Sequence, residues 1–329
     1  MSNDTMTITV SAPASVMLMG EHAVVKGYKA IACALDKRIE VNLIPRKDRL
    51  INIDSAVAKY HGHLDELVIN NELSFVLTAI ALEKEQLEYG FDLVIRAQFA
   101  HTLGLGSSAA VTVATIKALA LYSGQSINET QHLEKSLAVV HRVQKRGSGT
   151  DLAASIYGGV IAYQITTDSN TTAFKTIVER LPMLPEIALY YVGYKTTTAV
   201  VLAKVAEQEN QFSELYANIY KMMGYITLNA IQACKQQSWR KLGQLMNMYQ
   251  GQMDSLGVSD RALSDIIYRL RADHREIPEQ SGDAVLGAKI SGSGLGDCVI
   301  SLGNTERELQ DYQTIEITIT SEGVKYSDQ

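Results

Sequence analysis

The sequence predicts an α+β fold of two domains, with helices covering one face of the sheets. Three observations point there. The chain has 329 residues, which corresponds to about two domains. Its strand-like segments alternate apolar and polar residues, so each has one wet face, unlike the strands of a doubly wound parallel sheet. Pro182 and Pro185 punctuate the chain near its middle, which divides it into residues 1–182 and 183–329.

The elements follow in order. Residues 6–10 read as a short strand, with a loop at Ala12-Pro13. In residues 38–44, Ile39, Val41 and Leu43 fall on one face and Arg38, Glu40 and Asn42 on the other, the pattern of a half-buried strand. Residues 50–53 are expected to be its neighbour. Residues 72–87 read as a helix. Residues 91–99 alternate again, from Phe91 through Leu93, Ile95 and Ala97 to Phe99. Residues 111–122 form an alanine-rich helix, apolar on most sides, that ends at Gly124, and residues 129–143 form a second. Gly158-Gly159 turns into a strand. In the second half, residues 187–194 read as a strand, 200–248 as largely helical and 261–272 as a helix. Residues 288–290 and 298–302 are strands around a glycine loop, and 314–320 alternate as a last strand. No internal repeat or low-complexity tract interrupts this order.

Hydrophobic residues make up 46% and charged residues 20% of the chain, enough apolar material for a sizeable core. The net charge of −6 argues against general nucleic-acid binding. Cys33, Cys234 and Cys298 are too widely spaced for a zinc or redox motif, and suit a reducing compartment. The start of the chain has no apolar leader segment. No run approaches the roughly 18 apolar residues of a membrane helix. These features imply a cytoplasmic protein with no nucleic-acid or membrane partner, and leave a homodimer open.

Four segments carry chemistry. The first is His101-Thr102-Leu103-Gly104-Leu105-Gly106-Ser107-Ser108-Ala109-Ala110, which leads from a strand into a helix. Gly104 and Gly106 let the backbone approach a ligand closely. The hydroxyls of Ser107 and Ser108 and the first-turn amides suit a phosphate. The segment also fits the G-x-G-x-x-A dinucleotide fingerprint, but the strand before it carries Asp92, Arg96 and Gln98. No acid follows at a plausible strand end about 20 residues on. The second is Ser291-Gly292-Ser293-Gly294-Leu295-Gly296-Asp297, with more glycines than a hairpin needs. The third places Glu21 and His22 inside the apolar run from Pro13 to Val25, either as a paired core couple or as a polar floor for a substrate. The fourth is Gly147-Ser148-Gly149-Thr150-Asp151. Its carboxylate can cap a helix or can orient a hydroxyl and take its proton during phosphoryl transfer.

In this order and spacing, the four segments resemble the GHMP kinases. Residues 13–25, 103–110 and 289–297 match the three signature motifs, and Gly-Leu-Gly-Ser-Ser-Ala-Ala is the most specific of them. Glu21-His22-Ala23-Val24-Val25 with Gly27 is most similar to the mevalonate kinase branch, while residues 141–154 look more like the phosphomevalonate kinase branch. The resemblance implies an N-terminal ATP-binding domain like a domain of a ribosomal small-subunit protein, a ferredoxin-like C-terminal domain, and a cleft between them for ATP and Mg²⁺. It implies that Gly104, Leu105, Gly106, Ser107, Ser108 and Ala109 hold the phosphates, and that the Ser108 hydroxyl coordinates the metal. It further implies that Asp151 is catalytic, that Glu21 and His22 face the acceptor, mevalonate or a related alcohol, and that Gly292 and Gly294 support the phosphate loop and acceptor site. Ser293 in that loop and Thr197 after the strand at 187–194 are expected to contact the acceptor as well.

Three departures bear on this expectation. The family's first motif carries a lysine near the aspartate, where this chain has Ser15. The branch's metal-binding glutamate, eleven residues before the aspartate, is Val140 here, with His141 beside it and Glu134 on the same helix. Lys145 and Arg146 precede Asp151 and can meet an anionic substrate or simply face solvent. Thr196, Thr197 and Thr198 offer either an anion site or a cap from Thr198. The alternatives are therefore a phosphomevalonate or sugar kinase of the same fold, a binding homologue without turnover, and more remotely a dinucleotide-dependent oxidoreductase.

Overall fold

The computed structural model describes residues 7–100, 103–145, 147–167, 174–272, 285–303 and 309–328. The readings placed on Met6, His101, Thr102 and Arg146 fall outside them. The first half contains β1 (Ile8–Met19), β2 (Ala30–Pro45), β3 (Leu50–Asp54), β4 (Lys59–His63), α1 (Ser74–Glu83), β5 (Phe91–Ala97), α2 (Ser107–Tyr122), α3 (Glu129–Gln144), α4 (Thr150–Tyr157), β6 (Val160–Thr167) and β7 (Phe174–Leu181). The second contains β8 (Ile187–Lys195), α5 (Thr198–Gln211), α6 (Ser213–Lys235), α7 (Trp239–Ser255), α8 (Arg261–Ala272), β9 (Val285–Ser291), β10 (Gly296–Gly303), β11 (Gln313–Ile315) and β12 (Lys325–Asp328).

The strands form two sheets. One runs β12-β1-β2-β5-β3-β4, with β6 and β7 added along the other end of β2. Its pairs are antiparallel except β3 with β5. The length of β2 makes this branching possible, because Ala30 to Cys33 pair with β6 while Ile39 to Pro45 pair with β5. The other sheet runs β11-β8-β10-β9. Strand alternation sets the buried faces as expected: Ile39, Val41, Leu43, Phe91, Leu93 and Ile95 are all buried.

Helix α2 lies against β1 and β2 and is flanked by α1, α3 and α4. It is apolar nearly all round because it sits between sheet and helices. An Asn128–Gln131 capping box fixes the start of α3, satisfying two amides at once. In the second half, α7 and α8 cover β9.

Several expectations are corrected. Ala12-Pro13 is not a loop: β1 continues through it, and the ladder slips between Pro13 and Ser15, an irregularity that accommodates a proline. Residues 50–53 are not beside 38–44, since β5 lies between them. Of residues 314–320, only the first two continue β11, with a single bridge from Ile319 to Leu35 beyond it. Strands β4 and β7 were not foreseen, because their polar, largely exposed sequences lack a marked apolar face.

Two apolar clusters form the core. One lies between the first sheet and α1–α4. The other joins Val16, Leu18, Met19 and Ile31 of β1 and β2 to the second sheet and α5–α8. The chain end also returns to the first sheet, where β12 pairs with β1 and Thr320 hydrogen-bonds Ala34 and Gly159. We keep the division at residue 182 as a proposal for where the two layers separate along the chain.

Candidate active site

Everything at the site is arranged around the start of α2. Gly106 is its N-cap at φ 65°, and Gly104 has φ 68°, backbone that only glycine adopts freely. The first bond inside the helix runs from the Ala110 amide to the Gly106 carbonyl at 3.0 Å. Helix geometry leaves the amides before it without intrahelical partners, and the macrodipole adds positive potential there. Ser107 and Ser108 are partly exposed. The Leu105 and Ala109 side chains are buried, so those residues offer only backbone.

Both glycines are required for a second reason. A Cβ on Gly106 would lie 2.3 Å from Ser15 Oγ, with Asp151 Cβ and Cγ at 3.6 Å. A Cβ on Gly104 would lie 2.1 Å from Asp297 Oδ1. The loop is therefore bracketed by two carboxylates that arrive from distant parts of the chain.

Asp151 lies in the first turn of α4, whose N-cap is Gly149, so the carboxylate is not itself the cap. The buried Ser15 hydroxyl donates to Asp151 Oδ1 at 3.0 Å, and the Ser15 amide donates to Leu105 O at 3.1 Å. Serine thus ties β1, the glycine loop and the carboxylate together. Burial raises the Asp151 pKa above its ordinary value, while the Ser15 hydrogen bond and the charge of Lys195 oppose the rise and the charge of Asp297 adds to it. The turn before Asp151 is braced by the Tyr163 hydroxyl, which donates to Ser148 O at 2.6 Å.

A second polar cluster centres on Glu21. Glu21 is buried and pairs with Lys289, itself 0% exposed, at 2.6 Å. Lys289 also contacts Ile290 O and lies 5.5 Å from the centre of the Tyr249 ring. The Tyr249 hydroxyl donates to Glu21 O at 2.8 Å. Burial pushes the Glu21 carboxyl up and the Lys289 ammonium down, each opposed by the other's charge. His22, at φ 59°, places Nε2 2.9 Å from Ser293 O, so Nε2 carries the proton. Burial lowers the His22 pKa, which favours the neutral ring. Its Nδ1 lone pair has no hydrogen-bond partner and can accept from a hydroxyl.

The structure brings together Gly104–Ser108, Asp151, Glu21, His22, Gly292 and Ser293. Thr197 stands apart: it is exposed, and its side chain makes no capping bond to α5. The cap expected of Thr198 is corrected too, because α5 begins at Thr198 with Thr197 as its N-cap. The residue that this segment delivers is Lys195, paired with Asp297 at 2.8 Å. Val140 is buried among aliphatic side chains, and Glu134 is exposed on α3. The partly exposed His141 hydrogen-bonds Gly147 O at 3.0 Å. It borders a cavity of about 670 Å³ that Lys26, Lys145, Gly147 and Ser148 also line. Sequence reading missed the pairing roles of Lys289 and Lys195. A lysine between Ala288 and Ile290 in a buried strand was the available signal for the first.

Comparison with known proteins places the chain in a family. The GHMP kinases N terminal domain profile matches residues 74–159, and the GHMP kinases C terminal profile matches residues 230–313. A galactokinase galactose-binding signature matches residues 2–43. The mevalonate kinase of Pyrococcus furiosus is 32% identical over 92% of each chain. That of Thermococcus sibiricus is 31% identical over 98% of this chain and 99% of its own. Among solved structures, the Lin0012 protein of Listeria innocua has a TM-score of 0.82 at 21% identity, covering 98% of this chain and 99% of its own. L. major mevalonate kinase in complex with R-mevalonate has a TM-score of 0.70 at 22% identity, covering 90% and 87%. The family profiles fall on both halves of the chain and the relatives span nearly all of it, so the chain belongs to the GHMP kinases.

Proposed function

We propose that this kinase transfers the γ-phosphoryl group of ATP to the 5-hydroxyl of mevalonate. The placement of Asp151 beside the start of α2 carries the reading, because it sets a proton acceptor next to a phosphate-binding backbone. The names of the full-length relatives support mevalonate as the acceptor.

In this reading the amides and hydroxyls of Gly104 to Ala109 hold the triphosphate. Glu21 and His22, with Gly292 and Ser293 behind them, position the acceptor. The hydroxyl oxygen bonds to the γ-phosphorus as the bond to the bridging oxygen of ADP breaks. Asp151 takes the hydroxyl proton. Positioning and fixed electrostatics supply most of the acceleration in such transfers. Magnesium fits the chemistry of the donors present: Ser107 and Ser108 are partly exposed hydroxyl residues at the start of α2, the Asp151 carboxylate stands against the same loop, and such oxygens are hard ligands. Magnesium takes phosphate oxygens for several of its ligands, so one or two protein oxygens suffice. Bound there by Ser108 and the phosphates, magnesium would neutralise charge developing in the transition state.

A substrate panel tests the proposal. ADP release should be fastest with mevalonate, against phosphomevalonate, galactose and homoserine. Asp151→Asn should lower kcat by about 10²- to 10⁴-fold without changing the unfolding temperature appreciably; near-normal turnover would reject the assignment. A second reading, phosphomevalonate as acceptor, is favoured by the cavity that Lys26 and Lys145 line. It predicts that Lys145→Ala selectively raises KM for phosphomevalonate. Among the described residues no helix is long and apolar enough to cross a membrane.

A further inference from the structure

We infer that Asp297 is a metal ligand, its carboxylate taking the divalent cation that accompanies the nucleotide phosphates at the Gly104–Ala109 loop. The inference rests on the reading of that loop as the phosphate site.

Position is the first argument. Asp297 is lodged so closely against the loop that a Cβ on Gly104 would lie 2.1 Å from Oδ1 and 2.6 Å from Oδ2. Asp151 stands against Gly106 on the same loop, with Cγ 3.6 Å from that residue's ideal Cβ. Lys195 compensates one of these two carboxylates, and a bound triphosphate adds negative charge that a further cation would offset. The charges of the two acids already act on one another, since Asp297 raises the Asp151 pKa.

The second argument is an unmet acceptor. Asp297 is 7% exposed, and its Oδ1 is buried without a hydrogen-bond partner. The other oxygen, Oδ2, takes Lys195 at 2.8 Å. The neighbouring Cys298 thiol reaches Leu103 O at 3.7 Å, and the charge of Asp297 acts on it. A buried carboxylate oxygen without a donor is costly to maintain. A cation arriving with the phosphates would satisfy it.

Backbone geometry is the third. Asp297 has φ 74°, in the left-handed region where glycine would be unstrained. The position thus holds a desolvated carboxylate on backbone that few side chains adopt, a combination that clusters at functional sites. Magnesium is commonly held by one or two carboxylates together with substrate phosphates, so two acids flanking one phosphate loop are a sufficient protein contribution. Val140 is an aliphatic core residue and offers no oxygen in their place. Lys195 is the resident counter-charge of Asp297, and the cation competes with it.

The test measures metal binding directly. Mn²⁺ is titrated into the full-length protein bound to AMPPNP, and free Mn²⁺ is followed by electron paramagnetic resonance. Nucleotide affinity is measured separately in EDTA. Asp297→Asn keeps an oxygen for Lys195 and tolerates the left-handed backbone, but removes the charge. It should weaken Mn²⁺ binding roughly tenfold or more and leave metal-free nucleotide affinity unchanged or tighter. Asp297→Gly relieves the backbone strain, so it should unfold no earlier than the parent protein and lose the same metal affinity. Mn²⁺ binding that is unchanged or tighter in either variant, with nucleotide still bound, overturns the inference alone. Failure of the parent protein to bind nucleotide overturns the phosphate-loop reading and this inference with it. No acceptor is present, so the outcome is independent of which alcohol is phosphorylated.

Discussion

Ser15 shows how one side chain can serve several neighbours. Its hydroxyl reaches Asp151, its amide reaches the glycine loop, and its Oγ fills the space beside Gly106. The hydrogen bond favours the ionised carboxylate, so Ser15→Ala should raise the Asp151 pKa further. If Asp151 must be ionised to accept the proton, activity is lost as pH falls through its pKa. The acidic limb of the kcat/KM profile should therefore move to higher pH in Ser15→Ala; an unmoved or lowered limb would separate Asp151 from proton acceptance. Lys289 illustrates the opposite economy. Its charge is buried with Glu21 as partner, and removing one member of such a pair leaves the other uncompensated. Lys289→Met should destabilise the protein by about 3–5 kcal/mol, measured by urea unfolding. Adding Glu21→Gln should recover part of that loss. These pairings were not legible in the sequence, because Lys289 and Glu21 are 268 positions apart.

At the scale of elements, the start of α2 is the part most fully written in local sequence. Glycines at 104 and 106, serines at 107 and 108 and an apolar run behind them specify a left-handed loop feeding a buried helix. Gly106→Ala would set a Cβ against Ser15 Oγ at φ 65°. The left-handed backbone alone costs about 1–2 kcal/mol for alanine, and the clash would shift the loop. Nucleotide affinity should fall by roughly tenfold, the equivalent of 1.4 kcal/mol, measured with a fluorescent nucleotide. Wild-type affinity in this variant would mean that the loop does not need its present shape. Strands were legible where apolar residues alternated strictly, as in β5. They were illegible where the strand is a polar edge, as in β7, because hydrogen bonding to a neighbour leaves no mark on composition. The left-handed turns at His22 and Asp297 were hidden for a related reason: only packing holds a non-glycine residue there.

For the whole molecule, the two sheets do not behave as beads on a string. Val16, Leu18 and Met19 of β1 pack in the same apolar cluster as Leu189, Met246 and Val299 of the second half. The polar cluster at Glu21 crosses the same seam through Glu21–Lys289 and His22–Ser293. The last strand returns to pair with the first. A fragment ending at residue 182 would expose this face and lose both partners. It should lack a cooperative thermal transition and bind a hydrophobic dye; a fragment with sharp two-state unfolding would show that the first layer is autonomous.

The sequence by itself determined the family, the layered α+β class and the glycine-serine loop that opens α2, since these rest on local patterning and backbone freedom encoded within a few residues. The tertiary structure alone decided which charges meet. It joined Ser15 to Asp151, Lys289 to Glu21, and Lys195 to Asp297 beside Gly104. The physical reason is that Coulombic and hydrogen-bond partners depend on distance in space, while sequence spacing constrains distance only within an element.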